Sequence, residues 1–204
     1  MKVLLINGSP HQYGCTDAAL REVEETLHKN GVETERFWVG NVPLSGCIAC
    51  NACARTGRCV LDDRAGELAD KEFDGLIVGS PVYYASASGQ VTSLLDRYFY
   101  SHGRALAGKP AAAVVSCRRG GATAAFDQLN KYFAISSMPI VTSQYWNQVH
   151  GNTPEEVARD AEGLQTMRTL GENMAWLLRC IEAGRRAGVP APRTETRIAT
   201  NFIR

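Results

Sequence analysis

Short apolar segments alternate with amphipathic helical patterns along most of this chain, and this alternation constrains the fold more than any other feature. The apolar segments predict strands at residues 2–7, 34–39, 75–81, 111–116 and 140–145. Helices are predicted at residues 17–30, 64–73, 90–101 and 122–135, and the capping pattern Thr153–Glu156 predicts the start of a long helix. Because strands that alternate with helices pair in parallel, the sequence predicts an α/β fold: a doubly wound five-stranded parallel sheet with helices on both faces.

Length and charge narrow the class of protein. A chain of 204 residues can bury one core, so we expect a single domain over residues 1–184, including a cysteine-rich loop at 45–60, and a C-terminal tail at 185–204. The 22 basic and 21 acidic side chains balance, which argues against nucleic acid as a partner. The sequence shows neither an apolar run of membrane-spanning length nor the form of a signal peptide, and this predicts a cytoplasmic protein with no membrane partner.

Four cysteines within thirteen residues follow the spacing C-x2-C-x2-C-x5-C, which core packing does not explain. Such a spacing can direct four thiolates into one small volume, as a 4Fe-4S cluster requires. Two other interpretations stay open: a zinc site, which also takes four thiolates, and a loop of bare or redox-active thiols. The candidate metal ligands are Cys47, Cys50, Cys53 and Cys59, whereas Cys117 and Cys180 are predicted to pack in the core.

The loop after the first predicted strand, Gly8 to Thr16, leads into a helix N-terminus. Free backbone N–H groups and the helix dipole favour an anion there, and Ser9 and Thr16 add hydroxyl groups. The glycine spacing fits neither a P-loop nor a dinucleotide fingerprint, so one phosphate is favoured over a longer phosphate chain. An ordinary strand–turn–helix connection is the alternative.

Small residues also follow the third and fourth predicted strands, so three backbones can approach one ligand at the same edge of the sheet. The loop after the third strand carries Tyr83 and Tyr84, which suit a flat aromatic ligand, or else form a surface loop. The loop after the fourth strand places Arg118 and Arg119 beside two glycines, where the arginines either meet a ligand or stay solvated.

With these motifs in place, the chain resembles the flavodoxin-like NAD(P)H-dependent FMN reductase family, and more narrowly its iron–sulfur flavoprotein branch. The resemblance covers residues 1 to about 150 and rests on the two Gly-Ser-Pro strand ends, the Pro-Val-Tyr-Tyr segment and the cysteine spacing followed by Asp62 and Asp63. It implies a phosphate site formed by Ser9, Pro10, Gly14, Cys15 and Thr16. It also implies that the flavin ring lies against Pro81, Val82, Tyr83, Tyr84, Ser116, Arg118, Arg119, Gly120 and Gly121.

The resemblance implies an FMN-dependent oxidoreductase that uses NAD(P)H as co-substrate to reduce flavin, quinone or another small electron acceptor. No catalytic side chain is implied, because the N5 atom of the flavin accepts the hydride. Two alternatives are an iron–sulfur electron carrier supplied by a ferredoxin-like protein, and a non-catalytic flavin-binding module. The long predicted helix spans about 45 Å, which is more than one small domain needs. We expect its apolar stripe to lie partly between subunits of a homodimer or homotetramer.

Overall fold

The computed structural model describes residues 1–193, 195–196, 198, 200 and 202. Its helices and strands, in chain order, are β1 (Lys2–Asn7), α1 (Cys15–Lys29), β2 (Glu33–Trp38), α2 (Cys53–Thr56), α3 (Arg64–Ala69), β3 (Gly75–Tyr83), β4 (Ser86–Ala87), α4 (Gly89–His102), a 3-10 turn (Gly103–Leu106), β5 (Ala111–Cys117), α5 (Ala122–Ile135), β6 (Gln148–His150), α6 (Pro154–Val157) and α7 (Ala161–Arg186).

Within the described residues, five strands form a parallel sheet in the order β2-β1-β3-β5-β6, and β4 pairs antiparallel with β3 as a short hairpin. This confirms the predicted flavodoxin-like doubly wound α/β sheet. The chain leaves β1 toward β2 on one side and later returns to β3 on the other side. The carboxyl ends of β1 and β3 therefore flank the switch in strand order, where ligands of such sheets bind.

Alternating side chains of the central strands pack into two separate hydrophobic cores, one on each face of the sheet. Leu4 and Ile6 of β1 pack in the core under α3, α4 and α5, whereas Val3 and Leu5 pack in the core under α1 and α7. All four side chains are fully buried, which explains why β1 reads as an uninterrupted apolar run. No helix among the described residues combines the length and the apolar character that a membrane span needs.

The predicted fifth strand at residues 140–145 is wrong. Ile140 forms an isolated bridge with Ala111, and the ladder resumes only where Gln148 pairs with Val115. Seven residues of this segment thus lie opposite three residues of β5, so the backbone leaves the sheet between the two points of pairing. The strand that completes the sheet is β6, which begins beyond the predicted one.

The single long helix predicted from Thr153 onward is in fact two helices. The Thr153 side chain accepts a hydrogen bond from the amide of Glu156, and α6 ends at Val157. A second cap follows, because Asp160 accepts a hydrogen bond from the Gly163 amide at 2.9 Å and starts α7. The predicted tail begins inside the last turn of α7, and its residues 194, 197, 199, 201, 203 and 204 lie outside the described residues.

Gly171 lets α7 approach α1 closely, and this position gives a testable prediction. A Cβ atom at Gly171 would lie 2.7 Å from the Thr26 Cβ, whereas one at Gly184 meets nothing nearer than 3.8 Å. We expect Gly171→Ala to lower the free energy of unfolding by about 1–2 kcal/mol, because overpacking outweighs the gain in helix propensity. The matched change Gly184→Ala should raise it by about 0.5–1 kcal/mol. Urea titrations of both variants test this, and equal effects would contradict the close approach.

Candidate functional site

Hydrogen bonds join the loop after β1 to β3 and to Ser88, the residue that precedes α4. The Gly8 amide donates to the Gly79 carbonyl at 2.8 Å, and the Ser88 hydroxyl donates to the Gly8 carbonyl at 2.6 Å. The Ser88 amide in turn donates to the Ser80 hydroxyl oxygen at 2.9 Å. A side chain at Gly8 would collide with Val91 of α4 at 2.6 Å, so glycine is needed for this approach. The start of α4 is thereby fixed to the switch point between β1 and β3.

The N-terminus of α1 offers unpaired donors at this edge. Gly14 is the N-cap and no side chain caps the helix among the described residues. In the same part of the chain, the backbone N–H groups of Cys15, Thr16 and Asp17 have no hydrogen-bond acceptor. Three free amides at the positive end of a fifteen-residue helix form a site for an anion such as a phosphate.

Two residues that were not among the predicted site residues shape the loop between β1 and α1, which is the candidate phosphate site. The Asn7 side chain accepts from the Ser9 amide at 3.0 Å and donates to the Gln12 carbonyl at 2.9 Å. The Trp38 indole donates to the Ser9 carbonyl at 2.8 Å. Ser9 itself is buried, and its hydroxyl oxygen accepts from the His11 amide at 3.1 Å. An asparagine that ends an otherwise apolar strand is the signal that could have identified Asn7.

The structure joins two candidates that the sequence assigned to different parts of the ligand. Thr16 and Ser116 are both buried, and their hydroxyl oxygens lie 2.8 Å apart. The carboxyl end of β5 therefore reaches the start of α1. The Cys15 thiol turns away toward the Gly151 carbonyl, 3.7 Å distant, and packs beside the core of α1 and α7. Burial raises the pKa of the Cys15 thiol, which disfavours the thiolate.

The hairpin of β3 and β4 presents both predicted tyrosines to solvent. Tyr83 is 45% exposed and Tyr84 is wholly exposed at the tip, where Tyr84 and Ala85 both have positive φ. Gly121, with φ +85°, caps α5 against this hairpin, and a Cβ there would lie 2.7 Å from the Cα of Ala85. The tip of the β3–β4 hairpin and the loop between β5 and α5 are thus in direct contact. Of the remaining candidates, Pro10, Pro81 and Val82 are half-buried, and Arg118, Arg119 and Gly120 are exposed.

These three loops together fit a flavin mononucleotide. Free amides at α1 suit one phosphate, and exposed tyrosines with half-buried Pro81 and Val82 suit the flat apolar ring. Exposed Arg118 and Arg119 add positive charge beside the ring position. Hydrogen-bond donors lie where the phosphate of FMN would bind, and aromatic and apolar side chains lie where its ring would bind.

The four cysteines of the C-x2-C-x2-C-x5-C pattern line a single cavity beside α4. Cys47 and Cys50 are exposed, Cys53 and Cys59 are half-buried, and all seven cysteines, each within the described residues, are free thiols. The cavity is also lined by Ile48, Asn51, Val60, Leu61, Arg97 and Tyr100. Cys180 proves to be exposed on α7, so its predicted packing role is wrong, whereas Cys117 is buried as predicted.

Backbone geometry around Cys50 and Cys53 turns the loop around this cavity. Ala49 and Asn51 both have positive φ, of 54° and 56°, so the chain reverses on each side of Cys50. Gly57 closes the short helix α2 in the left-handed region and donates to the Cys53 carbonyl at 2.8 Å. After this turn the chain comes back to the cavity, and Cys59 lines it.

The arrangement bears on the choice among the three interpretations of the cysteines. A single zinc ion needs its ligands converging on one point about 2.3 Å from each sulfur. Within the described ranges, no three cysteine, histidine or acidic side chains converge in that way. A four-iron cluster is a larger body with a metal atom for each thiolate, so it requires cysteines around a cavity rather than around a point. All four cysteines line one cavity, but its free volume of about 20 Å³ takes only a water-sized body, so the loop would have to widen to take a cluster.

Arg97 lines the same cavity and was missed by the sequence analysis. It is the largest of the fully buried side chains, and it forms a 2.6 Å ion pair with Asp63. Burial raises the pKa of the Asp63 carboxyl, but hydrogen bonds from Arg97 and the Ala65 amide outweigh burial and leave it below its usual value. The sequence feature that could have identified Arg97 is its position within the apolar helical stripe of Val91, Leu94, Leu95 and Tyr98.

Comparison with known proteins agrees with this geometry. A family model described as NADPH-dependent FMN reductase matches residues 1–153. An iron–sulfur flavoprotein of Methanocaldococcus jannaschii is 35% identical over 192 residues, which cover 89% of this chain and 100% of the relative. Among solved structures, RosB with a bound flavin phosphate intermediate has a TM-score of 0.70 at 16% identity, covering 100% of this chain and 94% of that chain. A flavodoxin from the domain Archaea has a TM-score of 0.58 at 16% identity, covering 88% and 99%.

Proposed function

We propose that this chain, which belongs to the NADPH-dependent FMN reductase family and within it to the iron–sulfur flavoproteins, combines FMN with a 4Fe-4S cluster. Its family makes it a flavin-binding oxidoreductase. The observation that carries the proposal is the lining of one cavity by all four cysteines of the motif. When bound, FMN supplies hydride chemistry and the cluster supplies single-electron transfer.

The chain's own part in holding FMN is to bind and orient it. In this proposal, the free amides of Cys15, Thr16 and Asp17 bind the phosphate, and the Ser9 hydroxyl adds a donor. The hairpin of β3 and β4 and the loop around Gly121, which are in contact, together form the surface on which the ring lies, and they exclude water from one of its edges. Arg118 and Arg119 supply positive charge that stabilises an anionic reduced ring.

The chain's part in holding the cluster falls to Cys47, Cys50, Cys53 and Cys59. Their thiolates would each bind one iron, which requires four deprotonated sulfurs around the cavity. Helix α4 connects this cavity to the flavin loops, since it begins at Gly89 next to Ser88 and reaches Arg97 eight residues later. At the rise of an α-helix, eight residues span about 12 Å. A rigid element therefore keeps the two proposed centres close.

Two sources of electrons have support from particular residues. Exposed Arg118 and Arg119 beside the ring position favour NAD(P)H, whose phosphates an arginine can bind. Exposed Ile48 and Val60 around the cysteine cavity favour a ferredoxin-like protein that docks there. Steady-state oxidation of NADH and NADPH separates the two: turnover with a quinone or free flavin supports the first, and its absence alongside reduction by a ferredoxin supports the second.

Assembly into a homodimer or homotetramer is part of the proposal. Helix α7 has 26 residues, and it exposes Trp176 by 62% and Ile181 by 39%. Apolar side chains on a surface helix favour burial against a second copy. Sedimentation velocity at micromolar concentration tests this, and a strictly monomeric protein would contradict it.

An absorption spectrum with chemical analysis tests the proposed function directly. We expect protein purified without oxygen to show flavin bands together with the broad absorption of iron bound to thiolates, and about four iron and four sulfide per chain. Flavin bands without iron would leave an FMN oxidoreductase with free thiols or zinc in the cavity. Failure to bind FMN even on incubation would contradict the proposal as a whole.

A further inference from the structure

One buried guanidinium group ties the entry and the exit of the cysteine-rich loop to α4. The Nη1 atom of Arg97 donates to the Ser45 carbonyl at 3.3 Å and to the Asp63 carboxylate at 2.6 Å. Its Nη2 atom donates to the Leu61 carbonyl at 2.8 Å. Ser45 precedes the first cysteine of the motif, and Leu61 and Asp63 follow the last one. The two ends of the loop are therefore held together by the same side chain.

The third nitrogen of this group points at a cysteine. The Nε atom of Arg97 lies 3.3 Å from the Sγ atom of Cys59, within the range of a hydrogen bond to sulfur. The Arg97 side chain is only 1% exposed, so solvent screens this bond little. Cys59 thus differs from a cysteine that faces solvent, because a charged donor fixes the position of its sulfur.

Stability alone does not account for this arginine. Removing two charges from water is costly, and buried ion pairs are often replaced by apolar residues without loss of stability. A planar fork that reaches two carbonyls, a carboxylate and a sulfur is specific to arginine, since lysine has one nitrogen on its side chain. The side chain is therefore suited to fixing a geometry.

We infer that Arg97 is a positioning residue that holds Cys59 at the cavity and raises the reduction potential of the cluster bound there. The inference rests on the proposed function, because it needs iron in this cavity. Hydrogen bonds to cluster sulfurs are among the factors that set such potentials. A donor on Cys59 stabilises the reduced cluster, which carries one more negative charge. Asp63 offsets most of the charge of Arg97, so the hydrogen bond carries the larger part of the effect.

Three variants test this inference in the full-length protein. Arg97→Lys keeps the positive charge but cannot reach all four partners. The double change Arg97→Met with Asp63→Asn removes the ion pair without leaving a half-buried carboxylate alone, and the new amide oxygen can still cap α3 by accepting from the Ala65 amide. The control Arg104→Met removes an exposed arginine from the 3-10 turn after α4.

The potential of the cluster is the first measurement. We expect redox titration followed by electron paramagnetic resonance to show a lower potential and altered g-values in both Arg97 variants. Arg104→Met should match the original protein, and FMN content should stay the same in all of them. Equal potentials and spectra throughout would overturn the role of Arg97 in setting the potential.

Limited digestion with trypsin is a second measurement that needs no iron. Arg55 and Arg58 lie inside the cysteine-rich loop, so trypsin reports how firmly the loop is held. We expect iron-free chains with either Arg97 variant to be cut there several-fold faster than the original chain or Arg104→Met. If the original protein binds no iron, the proposed cluster fails, yet digestion still decides the positioning role. Unchanged cleavage would overturn that role.

Discussion

Replacement of Cys53 by alanine is expected to abolish the iron signature and to leave FMN binding intact. Three cysteines would remain around the cavity, so one iron of the cluster would have no thiolate from the chain. We expect iron to fall from about four per chain to below one, together with loss of the broad thiolate absorption. The fold should tolerate the change, since Cys53 is half-buried at the start of α2 and alanine favours a helix.

Cys180→Ala is the matched control for this result. Cys180 is an exposed cysteine on α7, outside the cavity lining, and its replacement should leave both iron and FMN unchanged. Iron and sulfide analysis of both variants, with flavin measured in the same samples, gives the comparison. Retention of four iron atoms by Cys53→Ala would mean that the motif does not bind a four-thiolate cluster.

Gly121→Ala is expected to weaken FMN binding at least tenfold. The new Cβ would lie 2.7 Å from the Cα of Ala85 and 3.0 Å from Val82, so the hairpin must move away from α5. Because the nearest atom belongs to the backbone, rotation of a side chain cannot relieve the contact. The left-handed backbone of Gly121 adds a strain of about 1–2 kcal/mol, and overpacking adds about 1–3 kcal/mol. The overpacking alone, which is relieved only when the hairpin moves, is of the size of the roughly 1.4 kcal/mol that corresponds to a tenfold change in affinity.

Gly108→Ala isolates the contribution of the contact. Gly108 has a similar φ of +80°, but a Cβ there meets no atom within 4 Å in the described structure. It should therefore cost stability through backbone strain and leave the affinity for FMN unchanged. Titration of FMN fluorescence, beside urea unfolding of the FMN-free proteins, measures both quantities. Equal affinities in the two variants would show that contact between the β3–β4 hairpin and the loop before α5 does not matter for FMN binding.

Local periodicity was sufficient to predict most of the fold. The bounds predicted for α5 match the structure, and the first four strands lie where their apolar runs indicated. The fifth strand failed because its apolar residues Ile140 and Val141 do pair with Ala111, but the backbone then departs from the sheet. The return at Gln148 depends on pairing with β5, which lies far earlier in the chain. Such long-range pairing overrides a local apolar pattern.

The candidate sites show the same division between local and distant information. The spacing identified the four cysteines, because all four lie within thirteen residues of sequence. Arg97 is 38 residues from Cys59, and only the packing of α4 against the loop brings the two side chains together. Likewise, Thr16 and Ser116 are 100 residues apart along the chain, so their hydrogen bond follows from the sheet order rather than from either motif.

Helix α4 also determines which changes of loop length the molecule can accommodate. The helix is anchored at one end through Ser88 and at the other end through the tether of Arg97 to residues 45, 61 and 63. Insertions between Cys53 and Cys59 would lengthen the path of the chain without moving either anchor. The separation of the two proposed centres is thus independent of the number of residues in that gap. A designer could lengthen the segment from Ala54 to Thr56, which precedes the left-handed turn at Gly57, and still keep the spacing of the two proposed centres.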